Sequence, residues 1–482
     1  MVVNSTTDIV NALVAKGVLT EEEGALLNKG RTDEAAGQAK AIKKAGKVSM
    51  SDAIDNATVY GEVRVRYEDR TGDGLAGTAS VASASASTTP IGYIGGSSGT
   101  AVYGPSTGTK AGTFIPNATE RRERARYKIT MGVKTESGPW SSDLAFAMGS
   151  SGRSDNATMG SFGSNPNTMN NKEALYVKRA SVSYKATDWL TLSAGRMDNP
   201  LYTTPMVWDA DLTFEGLVEK ANYKVNDNLE LFGTAAQVQY LGDKKSYFVG
   251  GGSSTVTNEL LAFQGGGKYN FDDKTSAKAA ITYTTYTHDI AQGIYNPGTG
   301  GTSAKSDIFA GNSGVNNLQI IEIPAEINRM VTDSIGVRVY GDYAYNTDAS
   351  ARCAKASGLA CGDDSAWLLG LVVGSAKNLK AFESNKMGKG DWSARIWYQD
   401  VGAYSVDQNA VDSDFFDSRV NMKGTVFKGQ YNVQDNVFAN LSYGHATRKN
   451  NVLGTPTGAG NDIGGINLTS FDLLQLDLTY KF

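Results

Sequence analysis

Apolar and polar residues alternate with a period of two over most of this chain, and no other feature constrains its fold as strongly. In the first such segment, 58–69, Val63 and Val65 alternate with Arg64 and Arg66. This spacing places the two sets on opposite faces of a β-strand. We count about 16 such segments, each close to the roughly 9–11 residues with which a tilted strand crosses a bilayer. The repetition predicts an all-β fold, a closed antiparallel transmembrane β-barrel of about 16 strands.

The predicted strands are 58–69, 121–135, 139–149, 173–185, 188–197, 213–224, 229–241, 257–271, 274–287, 316–331, 334–346, 365–376, 391–403, 416–432, 435–447 and 468–482.

Short turns alternate with long connections between these strands, as in outer-membrane barrels, where the long loops are external. One connection, 377–390, has an intermediate length where a short turn is expected. With an even number of strands, both ends of the chain are expected on the periplasmic side. The long connections are rich in Gly, Ser, Thr, Ala and Asn, and we predict that they are solvated loops. They are 70–120, 150–172, 198–212, 242–256, 288–315, 347–364, 404–415 and 448–467.

Residues 1–50 lack the alternation and are predicted to form an N-terminal helical periplasmic segment, with the barrel occupying 57–482. Thr20 and Glu23 have the spacing of a helix capping box. No charged and apolar leader precedes this segment, so we interpret the numbering as that of a mature exported chain with an added Met1. We expect helices near 6–16, 20–29 and 34–45.

The last strand has apolar residues at every second position back from Phe482, with the aromatic Tyr480 two residues before it. Its other face carries Gln475, Asp477 and Thr479. This pattern resembles the closing strand that the bacterial barrel assembly machinery recognises, so we assign Tyr480 and Phe482 to an assembly signal.

Three stretches carry a family resemblance. Residues 195–219 read GRMDNPLYTTPMVWDADLTFEGLVE, 14–27 read VAKGVLTEEEGALL, and 121–134 read RRERARYKITMGVK. Together they resemble the bacterial "putative porin" family, and the resemblance extends over nearly the whole chain. It implies a β-barrel porin of the Gram-negative outer membrane. Similarity to general 16-stranded porins further implies a homotrimer and a third external loop that folds into the pore.

Basic residues recur on the polar face of several predicted strands. A charge on the lipid-facing side would cost roughly 2–4 kcal/mol at the bilayer midplane, so these residues are predicted to face the lumen. Clustered there, they would concentrate anions. The alternative is that they pair with lumen carboxylates such as Glu62, Glu68 and Asp342 and only brace the wall. The candidate pore-lining residues are Arg64, Arg66, Arg122, Arg124, Arg126, Lys128, Arg338 and Arg395.

The 198–212 connection is the third external loop by our count, and its prolines and large aromatics favour a stiff, packed loop. Its carboxylates, facing an arginine wall, would create a transverse field across the pore. The alternative is a short packed loop at the rim. A calcium site from Asp209, Asp211 and Glu215 matches no known spacing, and we expect neither metal nor cofactor. The candidate constriction residues are Asp198, Asn199, Tyr202, Trp208, Asp209 and Asp211.

Cys353 and Cys361 lie close enough in sequence for a small loop-closing disulfide in an oxidising compartment; a reduced pair is the alternative. His288 and His445 are the two histidines, and neither belongs to a catalytic motif, which argues against an enzyme. A net charge of −4 gives no support for nucleic-acid binding.

These features together predict an outer-membrane porin, a water-filled channel for passive diffusion of small hydrophilic solutes and ions with a modest preference for anions. The competing hypothesis is a structural or adhesive surface protein with little transport role. The expected partners are outer-membrane lipid and lipopolysaccharide, the barrel assembly machinery and two further copies of the chain.

Overall fold

The computed structural model describes residues 54–78, 92–94, 100–102, 113–149, 155–160, 173–241, 258–287, 317–355, 361–451 and 467–482, together with Lys16, Thr20, Glu22 and Glu23. The predicted helices near 6–16, 20–29 and 34–45 lie almost entirely outside the described residues. The Thr20 and Glu23 capping box is present, with the Thr20 N–H donating to Glu23 Oε2 at 2.9 Å and the Glu23 N–H donating to Thr20 Oγ1 at 3.2 Å.

The described part of the chain is almost entirely β-structure, with two short helices. Its strands are β1 (Asn56–Thr78), β2 (Gly92–Ile94), β3 (Thr100–Val102), β4 (Thr113–Ser137), β5 (Trp140–Gly149), β6 (Ala157–Thr158), β7 (Ala174–Lys185), β8 (Leu190–Asp198), β9 (Thr213–Lys224), β10 (Leu229–Leu241), β11 (Asn258–Asn270), β12 (Thr275–Tyr286), β13 (Gln319–Glu322), β14 (Ala325–Met330), β15 (Ile335–Asn346), β16 (Ser365–Ser375), β17 (Trp392–Val401), β18 (Met422–Asn432), β19 (Val437–Arg448) and β20 (Asn467–Lys481); the helices are α1 (Ala349–Lys355) and α2 (Leu379–Glu383).

The strands form a closed 16-strand antiparallel β-barrel, which confirms the predicted fold class. β13 and β14 are two parts of one crossing and pair with the same two neighbours, β12 and β15. β6 is a two-residue strand that pairs with β4. The barrel closes where β1 pairs with β20, from Glu62 opposite Lys481 to Leu75 opposite Asn467. β2 and β3 form a separate two-stranded sheet.

Side-chain exposure follows the predicted alternation. Val65 is 47% exposed and Ile129 is 37% exposed, whereas Arg66 and Lys128 on the same two strands are 5% and 7% exposed. On these strands apolar side chains therefore cover the outer face of the barrel wall, and polar side chains project into the lumen, as the period of two requires. No helix among the described residues is long and apolar enough to span a membrane.

Most strand boundaries lie within about three residues of the prediction, and the large differences are in the first long connection and before β18. β1 continues to Thr78 and β4 begins at Thr113, so much of the predicted 70–120 loop is strand. β18 begins at Met422, and 416–421 is loop, not strand.

The two helices lie in connections at opposite ends of the barrel. α1 is in the 347–364 connection at the end of the long loops, and α2 is in the intermediate 377–390 connection at the end of the short turns. The Asn378 side chain caps α2 by accepting from the Ala381 N–H at 2.9 Å. Leu379 and Phe382 of this helix pack against apolar wall residues.

Residues 54–59 and 133–141 group in a compact unit of their own, and residues 60–132 and 142–482 in another. Within the smaller unit, the Asp55 N–H donates to the Glu136 carbonyl at 2.9 Å, and the Gly138 N–H donates to Asp55 Oδ2 at 2.7 Å.

Candidate functional site

Two loops from the long-loop end lie inside the barrel and meet there. We call them the 199–212 loop, between β8 and β9, and the 402–421 loop, between β17 and β18. The Asp209 N–H donates to the Ala410 carbonyl at 2.6 Å, and the Asp412 N–H donates to the Pro205 carbonyl at 3.2 Å. The Ser413 N–H donates to Asp209 Oδ2 at 2.9 Å. These contacts join the two loops to each other within the lumen.

The 199–212 loop crosses the lumen and is anchored on β11, β13 and β15. The Tyr202 N–H donates to Gln264 Oε1 at 2.9 Å, and Gln264 Nε2 returns a hydrogen bond to the Tyr202 carbonyl at 2.8 Å. The Thr203 hydroxyl donates to Glu322. The Thr204 hydroxyl donates to Asp342 Oδ2 at 2.6 Å, so Asp342 holds this loop and does not brace an arginine of the β1 and β4 wall.

The 402–421 loop contradicts our prediction of a solvated external loop at 404–415. All but four of its residues are buried. The lumen-facing side of the surrounding strands is apolar near the long-loop end, and each apolar loop side chain that covers it gains roughly 1.5–3 kcal/mol. The covered wall residues include Leu368, Trp397, Val426, Phe471 and Leu473, and the loop residues that join them in one core are Val406, Ala410, Val411, Phe415, Phe416 and Val420.

That apolar inner face has a signal in the sequence, which the prediction of a solvated loop overlooked. β16 is apolar on both sides, with Leu368 and Val372 inward and Leu369 and Leu371 outward. An inward apolar stripe in a water-filled barrel requires a cover.

The base of the 402–421 loop is fixed by a buried acid and by α1. Asp407 Oδ2 accepts hydrogen bonds from the Tyr240 hydroxyl at 2.5 Å and the Tyr286 hydroxyl at 2.9 Å. Cys353 of α1 packs with Tyr404 of the loop. The structure bonds Cys353 to Cys361, with their Cα atoms 5.3 Å apart. The disulfide therefore fixes the helix that supports this loop.

A strained turn lies beside the arginines of β1. Phe416, Asp417 and Ser418 all have left-handed backbone conformations, with φ of 65°, 56° and 53°. Such a conformation costs roughly 1–2 kcal/mol per residue. The turn is held by Arg70, whose guanidinium pairs with Asp417 at 3.3 Å and donates to the Ser413 carbonyl at 2.9 Å.

The basic residues of β1 and β4 form one group on the lumen wall, and carboxylates lie among them. Arg66 Nε pairs with Asp477 Oδ1 at 2.7 Å, and Arg124 pairs with Glu68 at 2.6 Å. Lys128 pairs with Glu62 at 3.1 Å.

Three further predicted residues belong to the same wall. Arg126 lies 3.8 Å from Glu68, and Arg64 donates to Asn156 Oδ1 at 2.6 Å. Arg122 has an exposed side chain.

The arginines contact carboxylates of the wall, chiefly Glu68 and Asp477, and also two carboxylates of the 402–421 loop, which the sequence pattern did not indicate. Asp414 Oδ1 accepts from Arg70 at 2.8 Å, and Asp414 Oδ2 accepts from Arg66 at 3.2 Å. Burial opposes the charge on Asp414, but the guanidinium groups of Arg66 and Arg70 hold its pKa well below the usual range. Arg70, Asp414 and Asp417 are thus site residues that the alternation of the strands did not predict.

At the junction of the two loops, the pKa values of two acids are raised and not lowered. Burial and the neighbouring Asp209 carboxylate raise the pKa of Asp412 to about 8. Burial and the charge of Asp211 likewise raise the pKa of Asp209. A carboxyl group at this junction is therefore protonated at neutral pH, which limits the repulsion between the two loops.

The other predicted loop residues have separate roles. Asp198, at the end of β8, pairs with Arg179 at 2.9 Å, and Asn199 Oδ1 accepts from the Leu201 N–H at 2.9 Å. Trp208 packs edge-on against Phe214 with ring centres 5.4 Å apart. The Asp211 N–H donates to Asp209 Oδ1 at 2.8 Å. No group of acids, histidines or cysteines in the described part of the chain has the arrangement of a metal site.

The remaining predicted residues lie elsewhere on the wall. Arg338 donates to Asn328 Oδ1 at 2.6 Å, and Arg395 lies 5.6 Å from the ring centre of Tyr340. Tyr480 and Phe482 stack on the outer face with ring centres 6.1 Å apart.

Neither histidine is placed in a candidate catalytic arrangement. His445 Nδ1 lies 2.9 Å from Asp472 Oδ1, and both side chains are exposed. His288 lies outside the described residues.

A closed barrel with an apolar outer face, a polar lumen and loops folded into that lumen is the architecture of a porin-type channel. The sequence model of the "Putative porin" family matches residues 49–312 and 301–482, and the chain belongs to that family. The family indicates a channel of the outer membrane.

Solved outer-membrane proteins share similarity with the chain. The outer-membrane channel DcaP of Acinetobacter baumannii is 11% identical, with 90% of this chain and 100% of that chain covered and a TM-score of 0.38. OmpT of Vibrio cholerae is 11% identical, with 90% and 99% covered and a TM-score of 0.40. OpdQ of Pseudomonas aeruginosa is 11% identical, with 90% and 99% covered and a TM-score of 0.36. No curated protein sequence matches the chain.

Proposed function

We propose that this protein is an outer-membrane porin whose water-filled lumen passes small hydrophilic solutes and ions by diffusion, with a modest preference for anions. The observation that carries the proposal is the pair of loops that meet inside the barrel. Each is anchored to a different part of the wall, so together they reduce the cross-section of the lumen without depending on a mobile element. A fixed constriction of this kind sorts solutes by size.

Polar side chains that face the lumen elsewhere support a water-filled path. On β9 and β10, Lys220, Asn222 and Glu230 point inward and are solvent-exposed. Exposed charges on an inner wall are stable only where water solvates them.

The preference for anions is expected to be modest because most cations of the β1 and β4 wall are already paired with carboxylates. Pairing cancels much of the field that an ion in transit would meet. By the family resemblance we also propose a homotrimer in lipid and lipopolysaccharide, which mass measurement in mild detergent would check.

The size limit is tested by swelling of liposomes that contain the purified protein. We expect swelling in arabinose and glucose, slower swelling in sucrose and slower still in raffinose, because the joined loops limit the aperture. Liposomes without protein are the control. Rates equal to those of empty liposomes for every sugar would contradict the channel and would favour the structural or adhesive alternative.

A further inference from the structure

Two lumen-facing cations of the wall lie directly opposite each other. Arg395 on β17 and Lys428 on β18 are partners in the register of that strand pair. Both face inward, since the adjacent Ile396 is 46% exposed on the outer face. Like charges opposite each other on neighbouring strands destabilise a sheet unless something compensates them. Among the described residues, no carboxylate lies within ion-pairing distance of either cation.

Aromatic rings hold both cations in place. The Arg395 guanidinium lies 5.6 Å from the ring centre of Tyr340. Lys428 Nζ lies 4.3 Å from the ring centre of Phe415 and 5.6 Å from that of Trp397. A cation–π contact fixes the position of a charge and, unlike a carboxylate, leaves the charge uncompensated. These contacts therefore present two fixed positive charges to the lumen.

A glycine provides the space that the Tyr340 ring occupies beside Arg395. Gly370 on the intervening strand β16 lies under the Tyr340 ring, and a Cβ atom there would be 2.4 Å from a ring carbon. Any larger residue would displace the ring that supports Arg395.

Space for a small ligand adjoins Arg395. A cavity of about 30 Å³ is lined by Arg395, Arg338, Ser393 and Asn385, among others. That volume exceeds the roughly 10–15 Å³ that a single water molecule needs, so it admits a chloride ion or one oxygen of a carboxylate. Arg395 and Arg338 both line this space and Lys428 does not, so the cavity offers room for an anion beside Arg395, whose guanidinium is a strong donor to anions.

The nearest acids do not neutralise Lys428. Asp412 and Asp414 of the 402–421 loop are close enough for their charges to interact with it, but neither makes an ion pair with it. Asp414 is already paired with Arg66 and Arg70. Asp412 carries a proton at neutral pH because its pKa is about 8.

Lys278 shows a similar aromatic setting but differs in one respect. Its Nζ lies 3.9 Å from the ring centre of Tyr202, but Glu326 is its partner in the strand register. An acid therefore stands opposite Lys278, whereas a second cation stands opposite Lys428.

We propose that Arg395 and Lys428 form the anion-selective site of the channel, binding small inorganic anions and small carboxylates, and that this pair, and not the β1 and β4 arginines, sets the ion preference. This inference rests on the proposed channel function and names the residues that give the channel its selectivity. An anion close to these cations relieves the repulsion between them, and the contacts with aromatic rings hold both cations in place without an acid.

The test is the reversal potential of the wild type and three variants in planar bilayers under a potassium chloride gradient at low salt. In R395Q/K428Q the ratio of anion to cation permeability is expected to fall roughly two- to fourfold. At about 0.1 M salt, a unit charge about 10 Å from the path of the ions changes the ratio of anion to cation concentration there by roughly 1.5- to twofold, and the two charges together give the square of that factor. The charge-conserving variant R395K/K428R is expected to keep the wild-type ratio.

The matched control is K185Q/D188N, which removes a paired base and acid from the exposed turn between β7 and β8 without changing the net charge. It is expected to leave the ratio unchanged. If R395Q/K428Q does not insert, R395Q and K428Q singly are each expected to give about half the shift on a logarithmic scale.

Two outcomes separate the inference from the function on which it rests. A wild type that inserts but never conducts contradicts the proposed channel and the site with it. A conducting wild type whose permeability ratio is the same in R395Q/K428Q, or in both single variants, overturns the anion site alone.

Discussion

At the scale of single residues, Arg70 shows how a lumen cation holds the interior together. Its side chain is 1% exposed and pairs with Glu68 at 3.0 Å, with Asp414 at 2.8 Å and with Asp417 at 3.3 Å. The two aspartates belong to the 402–421 loop, so one guanidinium joins the wall to that loop.

Replacing Arg70 with Met should destabilise the barrel strongly. The change removes a partner from the buried carboxylates of Glu68 and Asp417 and from the partly exposed one of Asp414, and breaking a buried pair costs roughly 3–5 kcal/mol. The measurement is the urea unfolding midpoint in detergent or lipid, followed by tryptophan fluorescence.

The matched control is R121M. Arg121 is also ion-paired, with Asp69 at 2.6 Å, but its side chain is 57% exposed. Exposed pairs contribute about 0–1 kcal/mol, so R121M should unfold close to the wild type. Equal shifts in the two variants would show that Arg70 does not hold the loop.

The side of the barrel wall on which these residues lie could be predicted from the sequence, but the residues with which they form ion pairs could not. Period-two alternation places Arg66 and Lys128 inside because every second residue of a strand shares a face. Asp414 lies 344 residues from Arg70 along the chain, in a loop with no periodicity. Only the folded loop brings the two together.

At the scale of elements, the 402–421 loop is the largest departure from the prediction. Its composition resembles that of a solvated connection. In the structure its apolar side chains pack against inward-facing apolar residues of five strands, β16 to β20. Each of those strands alone has the pattern of an ordinary amphipathic or buried strand. The apolar patch on the inner wall forms only when the closed barrel brings the five strands side by side. The disulfide between Cys353 and Cys361 then fixes α1 against the base of the loop.

The contact between the two infolded loops should weaken as the pH rises through about 8. Burial and Asp209 raise the pKa of Asp412 to about 8 from an ordinary 3.8, so the folded contact favours the protonated acid. The stabilisation is therefore complete below about pH 3.8, falls as the pH rises from there towards 8, and is gone above about 8, where Asp412 is ionised beside Asp209. We expect noisier and larger single-channel currents at pH 9 than at pH 6.

D412N should abolish this pH dependence, because the amide keeps the hydrogen-bond acceptor and cannot ionise. Asp227, in an exposed turn between β9 and β10, provides the control variant D227N, which should respond to pH like the wild type. Persistence of the full pH effect in D412N would assign it to another group.

At the scale of the whole molecule, repetition determines the architecture more than any local motif. Each alternating segment alone would suit a soluble sheet, but a closed barrel of 16 such strands gives every strand two neighbours and leaves no edge. The number of strands and their approximate positions could therefore be predicted from sequence, as β16 shows: 365–376 was expected and Ser365–Ser375 is observed. The arrangement inside the barrel could not be predicted, because the contacts that join the two loops to each other and to the β1 arginines connect residues distant in sequence.

Above all, we propose that this barrel is an open, water-filled pore through the outer membrane. Single-channel recording of the purified protein in a pure lipid bilayer tests that proposal most directly. We expect discrete current steps of uniform size that vary linearly with voltage, because the constriction is held by fixed loops and not by a voltage-sensing element. A correctly folded, heat-modifiable barrel that inserts and gives no current steps would contradict it.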